Sequence, residues 1–270
     1  MLDRDRAGKI SSSECYRMYE SKAVQDTYIE ELRMFNLFKQ TDVEKDVFNF
    51  KWGHLLENFL HEKTDHLAGY VNQNTEENAT IFSNTNEYHC GTPDQYTLEN
   101  ESIVVSETKC PVTLKGLYNL IFPFYASGSY SFVDGDTAIV MIKNKSKEGK
   151  KYFNQVISNA VLLEDELGLE CNYGELVVFM PYKKDIPEIT AFAEEFFTTE
   201  YYPILFGTSS TLPCIHPLEK EHKDFFDLDD EYSVNDFHKI RFSITKEMKD
   251  TFRKDIDTFT NKVFPQLTTV

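Results

Sequence analysis

Apolar side chains recur at helical spacing over residues 14–38, where Tyr28, Ile29, Leu32, Phe35 and Leu37-Phe38 form one broad face, and the pattern predicts a helix. A second helix is expected over 47–66, with Leu56, Phe59 and Leu60 at the same spacing. The stretch from Asn72 to Asn86 is polar and turn-rich and leads into a hairpin over 91–109. Leu114 to Tyr125 reads as a short helix packed on a sheet, and Gly128 to Asp136 as a loop in which Tyr130 and Phe132 are packing residues or substrate contacts. A helix over 150–164 carries Phe153, Val156, Ile157, Ala160 and Val161 on its apolar face, with Gln155 and Asn159 on the adjoining stripe. A strand near 175–181, a helix from Pro187 through Glu200, a strand near 239–244 and a helix from 245 to about 263 complete the chain. Strands and helices alternate, which predicts an α/β domain, without the Gly-rich phosphate loop of a nucleotide-binding fold and without an internal repeat.

The hairpin carries the chemistry. It reads Gly91-Thr-Pro-Asp94, then a polar Glu99-Asn-Glu-Ser102 break, then Ile103-Val-Val105 feeding Glu107-Thr-Lys109. Side chains alternate faces along a strand, so Glu107 and Lys109 point one way and Thr108 the other. Two carboxylates, Asp94 and Glu107, with the main-chain carbonyl of Thr108, suffice to anchor a magnesium ion that keeps several of its waters, with manganese as a substitute. Such an ion neutralises phosphodiester oxygens, makes a water nucleophilic and stabilises a leaving oxygen, and Lys109 would orient or deprotonate that water. The competing reading of Glu107 and Lys109 is an ordinary same-face ion pair on an edge strand.

Asp94, Glu107 and Lys109 together resemble the PD-(D/E)xK phosphodiesterase signature, and four further segments resemble the YqaJ or phage lambda exonuclease branch of viral recombinases. Lys51-Trp-Gly-His-Leu-Leu-Glu57 is similar to the family helix whose glutamate, here Glu57, joins the active site as a metal or water ligand. Lys151-Tyr-Phe-Asn-Gln155 resembles the helix whose glutamine contacts the catalytic region. Arg6-Ala-Gly-Lys-Ile-Ser-Ser-Ser-Glu14 is similar to the segment whose arginine and serine bind a 5′ phosphate, which maps onto Arg6 and Ser13. Ser11, Ser12 or Ser13 is equally an N-cap for a helix beginning near Glu14, itself an anion site. Gly174-Glu-Leu-Val-Val-Phe-Met-Pro-Tyr182 resembles the strand after the glutamine helix. The spacing from Asp94 to Glu107 is a few residues longer than in the family, and Ser106 and Thr108 stand where apolar residues are common, which weakens this strand as a buried central one.

The resemblance implies a restriction-endonuclease-like PD-(D/E)xK core, a mixed central sheet flanked by helices, as a single domain over 1–270 with a peripheral insertion near 186–236. It implies a metal-dependent deoxyribonuclease that digests one strand of duplex DNA ends from the 5′ side and leaves a 3′ single strand for recombination. A homotrimeric ring and a single-strand annealing protein as partner follow from the same resemblance. The alternatives are an endonuclease of the same fold, sharing every catalytic residue, and a non-catalytic interaction protein that kept the fold.

Composition bounds this picture. The 270 residues suffice for one α/β core, and 41% hydrophobic residues with 22 Phe and 15 Tyr indicate a globular chain. No apolar run reaches membrane-span length and the start lacks a signal-peptide core, so the expected location is the cytoplasm, that of a bacterial host for a phage-derived chain. The five scattered cysteines suit reduced thiols, and no zinc or iron-sulfur spacing appears. The net charge of −17 opposes DNA binding, which depends on lysine and arginine neutralising phosphates. The charge is uneven, however. Eight acidic residues crowd Glu219 to Asp236 against Lys220 and Lys223, whereas Lys143, Lys145, Lys147, Lys150 and Lys151 gather just before the Gln155 helix. The lysines would make a basic rim around an acidic metal centre; the acidic run is a solvated loop or the outer wall of a ring.

Overall fold

A computed structural model describes residues 6, 8–38, 48–73, 79–112, 116–117, 119–121, 130–133, 137–140, 147–181, 185–196 and 236–265. Its strands are β1 (Ile10–Ser11), β2 (Val71–Asn72), β3 (Ile81–Phe82), β4 (His89–Gly91), β5 (Gln95–Glu99), β6 (Ser102–Lys109), β7 (Tyr130–Val133), β8 (Thr137–Val140), β9 (Cys171–Phe179) and β10 (Phe237–Ser243). Its helices are α1 (Lys22–Phe38), α2 (Phe48–Lys63), α3 (Lys147–Leu167), α4 (Ile186–Phe196) and α5 (Lys246–Val263). A seven-stranded sheet runs β2-β5-β6-β9-β10-β8-β7, and a small sheet runs β1-β4-β3. The large sheet is mixed: β6 is parallel to β9 and β10 to β8, while its other neighbours are antiparallel. Parallel neighbours need a crossover, and α3 lies on the sheet between them.

The hairpin forms as its sequence predicts, with Glu99 paired to Ser102 around a two-residue tip. Asn100 and Glu101 both take positive φ, 50° and 63°, the geometry whose twist matches the strands it joins. Ser106 and Thr108 do not make β6 an edge strand; it lies third in the sheet and both are fully buried. Their hydroxyls are satisfied by Gln95, whose Nε2 donates to Ser106 Oγ at 2.9 Å and Thr108 Oγ1 at 2.8 Å. His61 Nε2 lies 3.2 Å from the Gln95 carbonyl oxygen, so a buried polar chain replaces the apolar packing expected of a central strand.

Helix α3 is apolar on two sides because it is sandwiched. Val156, Ala160 and Leu163 pack on Ile103, Val105 and Phe242 of the sheet, while Ile157 and Val161 pack with Tyr28 and Leu32 of α1 and with Phe252, Ile256 and Phe259 of α5. Gly174 permits the close approach, since a Cβ there would lie 2.5 Å from Val156 Cγ1. On the opposite sheet face, Leu55, Leu56, Phe59 and Leu60 of α2 pack with Ile189, Phe192 and Ala193 of α4 against Val177 and Phe179.

Three local expectations change. The helix expected over 14–38 divides into a 3-10 turn at Cys15–Tyr19 and α1, because Glu20 is extended at φ −82° and ψ −175°. The turn is capped by Glu14 without a side-chain bond, so no serine caps it, and Ser12 bonds Ser158 instead. The loop expected over 128–136 contains β7, whose β-prone Tyr130-Ser-Phe-Val133 finds its partner in β8. Of the 114–125 helix, residues 116, 117 and 119–121 are helical; the rest, like Lys143, Lys145 and 197–235 with nearly all of the acidic run, lies outside the described residues. Among the described residues no helix is long and apolar enough to cross a membrane.

Candidate active site

Asp94 ends the turn that precedes β5, and its Oδ2 accepts the Thr108 amide at 2.8 Å, which ties the aspartate across to β6. Glu107 and Lys109 share the α3 face of β6, as their alternation requires, and Lys109 Nζ donates to Glu107 Oε1 at 2.5 Å. The same ammonium lies 3.9 Å from Asp94 Oδ2 and so bridges both carboxylates. From α3, Gln155 Nε2 donates to Glu107 Oε1 and Asn159 Nδ2 donates to Glu107 Oε2 at 3.0 Å. Residues four apart stack on one helix face, which is how both amides reach one carboxylate. The sequence singled out Gln155 and left Asn159 as a neighbour on its stripe; the spacing alone was the available signal.

Asn159 is fully buried, and its Oδ1 has no hydrogen-bond partner among the described residues. That oxygen faces Gly91, where a Cβ would lie 2.9 Å from it. Behind it, Ser12 Oγ, Ser158 Oγ and His89 Nε2 form a buried chain with both steps at 2.8 Å, docking the small sheet onto α3. Burial, with a smaller push from Arg253, lowers His89 to about 4, so the ring is neutral there.

Three carboxyl groups, Glu57, Asp94 and Glu107, crowd one ammonium, Lys109. Burial first, and then the Asp94 charge, raises Glu107 to about 8 against the pull of Lys109. Glu57 comes from α2 on the other sheet face, and burial followed by Asp94 and Glu107 raises it well above the usual carboxylate range. The surrounding carboxylates hold Lys109 charged despite its burial. Hard oxygen donors whose burial and mutual repulsion oppose ionisation suit a divalent cation, which favours the ionised carboxylates. Among the described residues no three His, Cys, Asp or Glu side chains converge as a metal cluster, so the fit rests on Asp94 and Glu107 with the Thr108 carbonyl rather than on a carboxylate cage.

The remaining candidates stand nearer the rim. Arg6 reaches Thr92 Oγ1 at 3.5 Å, two residues before Asp94, while the exposed Ser13 hydroxyl pairs with Ser11 at 3.1 Å.

Superposition on solved structures decides the fold. The crystal structure of an alkaline exonuclease, LHK-Exo, from Laribacter hongkongensis matches over 97% of this chain and 90% of that one, with a TM-score of 0.56 and 13% identity. The chain shares the fold of that exonuclease. The same exonuclease in complex with dAMP matches over 97% and 91%, again with a TM-score of 0.56 and 13% identity. No protein-family model matches the sequence, and no curated protein does either. The mixed sheet flanked by helices expected from the sequence is present. At 13% identity the likeness concerns the fold alone.

Proposed function

We propose that the chain is a magnesium-dependent DNA exonuclease that digests one strand of duplex ends from the 5′ side and leaves a 3′ single strand. The observation that carries this reading is the single cluster in which Lys109 bridges Asp94 and Glu107 while Gln155 and Asn159 fix Glu107 from the helix above. Asp94, Glu107 and the Thr108 carbonyl would hold the ion, with Glu57 facing it from the other side; manganese is the substitute. When bound, the ion supplies charge neutralisation at the phosphodiester and a lowered pKa for coordinated water.

The protein groups divide the remaining work. Lys109 keeps an ammonium beside both carboxylates, positioned to orient the attacking water and balance charge on the phosphoryl oxygens. Gln155 and Asn159 hold the Glu107 carboxylate in one orientation, so its lone pairs need not be reorganised when substrate arrives. Arg6, whose guanidinium lies 3.5 Å from Thr92 Oγ1, would meet a terminal 5′ phosphate, with Ser13 its expected companion. A cytoplasmic setting, a ring-shaped homotrimer and an annealing protein that takes up the 3′ strand belong to the same reading.

The test is digestion of linear duplex DNA labelled at either end, with magnesium or EDTA, comparing wild type with Lys109→Ala and including a closed circle. Magnesium-dependent release of mononucleotides from 5′ ends, absent on circles and in the variant, is the expected result. Cut circles would indicate an endonuclease of this fold, and no cleavage would leave a non-catalytic binding protein.

A further inference from the structure

The catalytic lysine is one end of an alternating string of cations and rings. Lys109 Nζ lies 5.3 Å from the centroid of the Tyr152 ring, Lys151 Nζ lies 5.4 Å from that same ring, and Lys151 Nζ lies 5.2 Å from Tyr16. We propose that Lys151, held between Tyr16 and Tyr152, is a backbone-phosphate contact for the DNA strand entering the site. This rests on the nuclease reading above and adds a substrate contact to it. Sharing one ring keeps the two ammonium groups within about 11 Å, at most about three nucleotide steps at about 3.4 Å of axial rise each.

Its neighbours set Lys151 apart from an ordinary surface lysine: it shares the Tyr152 ring with Lys109 and lies over a second ring, Tyr16. Lys147, Lys150 and Lys151 stand among the first five residues of α3 against one acidic residue, Glu148, so this end of the helix carries a net positive charge that attracts a phosphate. The two rings fix the ammonium by cation–π attraction without neutralising it, so its charge remains available to a ligand.

The probe is a duplex with a 3′ overhang, bound in EDTA and followed by fluorescence anisotropy over a series of potassium chloride concentrations, alongside the digestion assay in magnesium. Removing one lysine–phosphate contact lowers the slope of log K against log salt by about 0.9 and weakens binding roughly eightfold at 0.1 M salt. Lys151→Gln is expected to show both changes. Lys151→Arg, which keeps charge and ring contacts, is expected to show neither, and Tyr152→Phe should retain the wild-type slope because the ring and not the hydroxyl holds the lysine. Lys254→Gln, the same charge change on the exposed side of α5, controls for overall charge. If wild type digests DNA but Lys151→Gln keeps the wild-type slope, or Lys254→Gln matches its loss, the phosphate contact is refuted and the nuclease reading stands. If wild type neither binds nor digests DNA, both fall.

Discussion

Gly91→Ala tests how the site is supported. Gly91 is buried on β4, and a Cβ there would lie 2.0 Å from Ser12 Oγ, 2.8 Å from Leu162 Cδ1 and 2.9 Å from Asn159 Oδ1. The hydroxyl can move only by leaving Ser158, whose own contact with His89 completes the buried chain. Losing that bond costs about 1 kcal/mol, and crowding of Leu162 and Asn159 adds the usual overpacking penalty of about 1–3 kcal/mol. The expected loss is about 3 kcal/mol, read as a lower urea midpoint at unchanged m. Ser12→Ala removes the atom in deepest conflict. In that background Gly91→Ala should therefore cost about 1 kcal/mol less than in wild type, a coupling that a double-mutant cycle resolves. A Gly91→Ala variant within about 0.5 kcal/mol of wild type, or penalties that simply add, would refute the steric argument.

The other perturbations separate stability from chemistry. His89 has its pKa lowered to about 4 from 6.5, so between those values the unfolded state binds a proton that the native state does not. Its contribution is therefore full above about pH 6.5 and declines as pH falls, by about 3 kcal/mol near pH 4. Urea midpoints from pH 4 to 7.5 should fall more steeply for wild type than for His89→Gln; parallel curves would sink the assignment. Asn159→Ala leaves Glu107 Oε2 without its amide donor, and the digestion rate should fall roughly ten- to hundredfold, with half-saturation shifted to higher magnesium. An unchanged magnesium titration would mean that Asn159 only packs.

Legibility followed the range of the interactions. The hairpin was readable because its signals are local: a polar four-residue break, alternation on both sides, and two carboxylates with a lysine at strand spacing. The 14–38 pattern misled at Glu20, where periodicity persists through a residue whose backbone is extended. Tyr130-Ser-Phe-Val133 carried strand propensity but no sign of a partner, since β8 supplies one side only after the sheet assembles.

The sequence by itself determined that a carboxylate and an ammonium meet at the end of β6, because alternation forces Glu107 and Lys109 onto one face whatever surrounds them. It likewise placed Gln155 and Asn159 on one helical stripe. Only the tertiary structure decided that this stripe meets Glu107, that Gln95 satisfies the hydroxyls which would otherwise make β6 an unfavourable central strand, and that Tyr152 lies between Lys109 and Lys151. Those contacts join residues far apart in the chain, and no periodicity within a segment encodes which distant segment will fill its hydrogen bonds; burial against the whole sheet selects it.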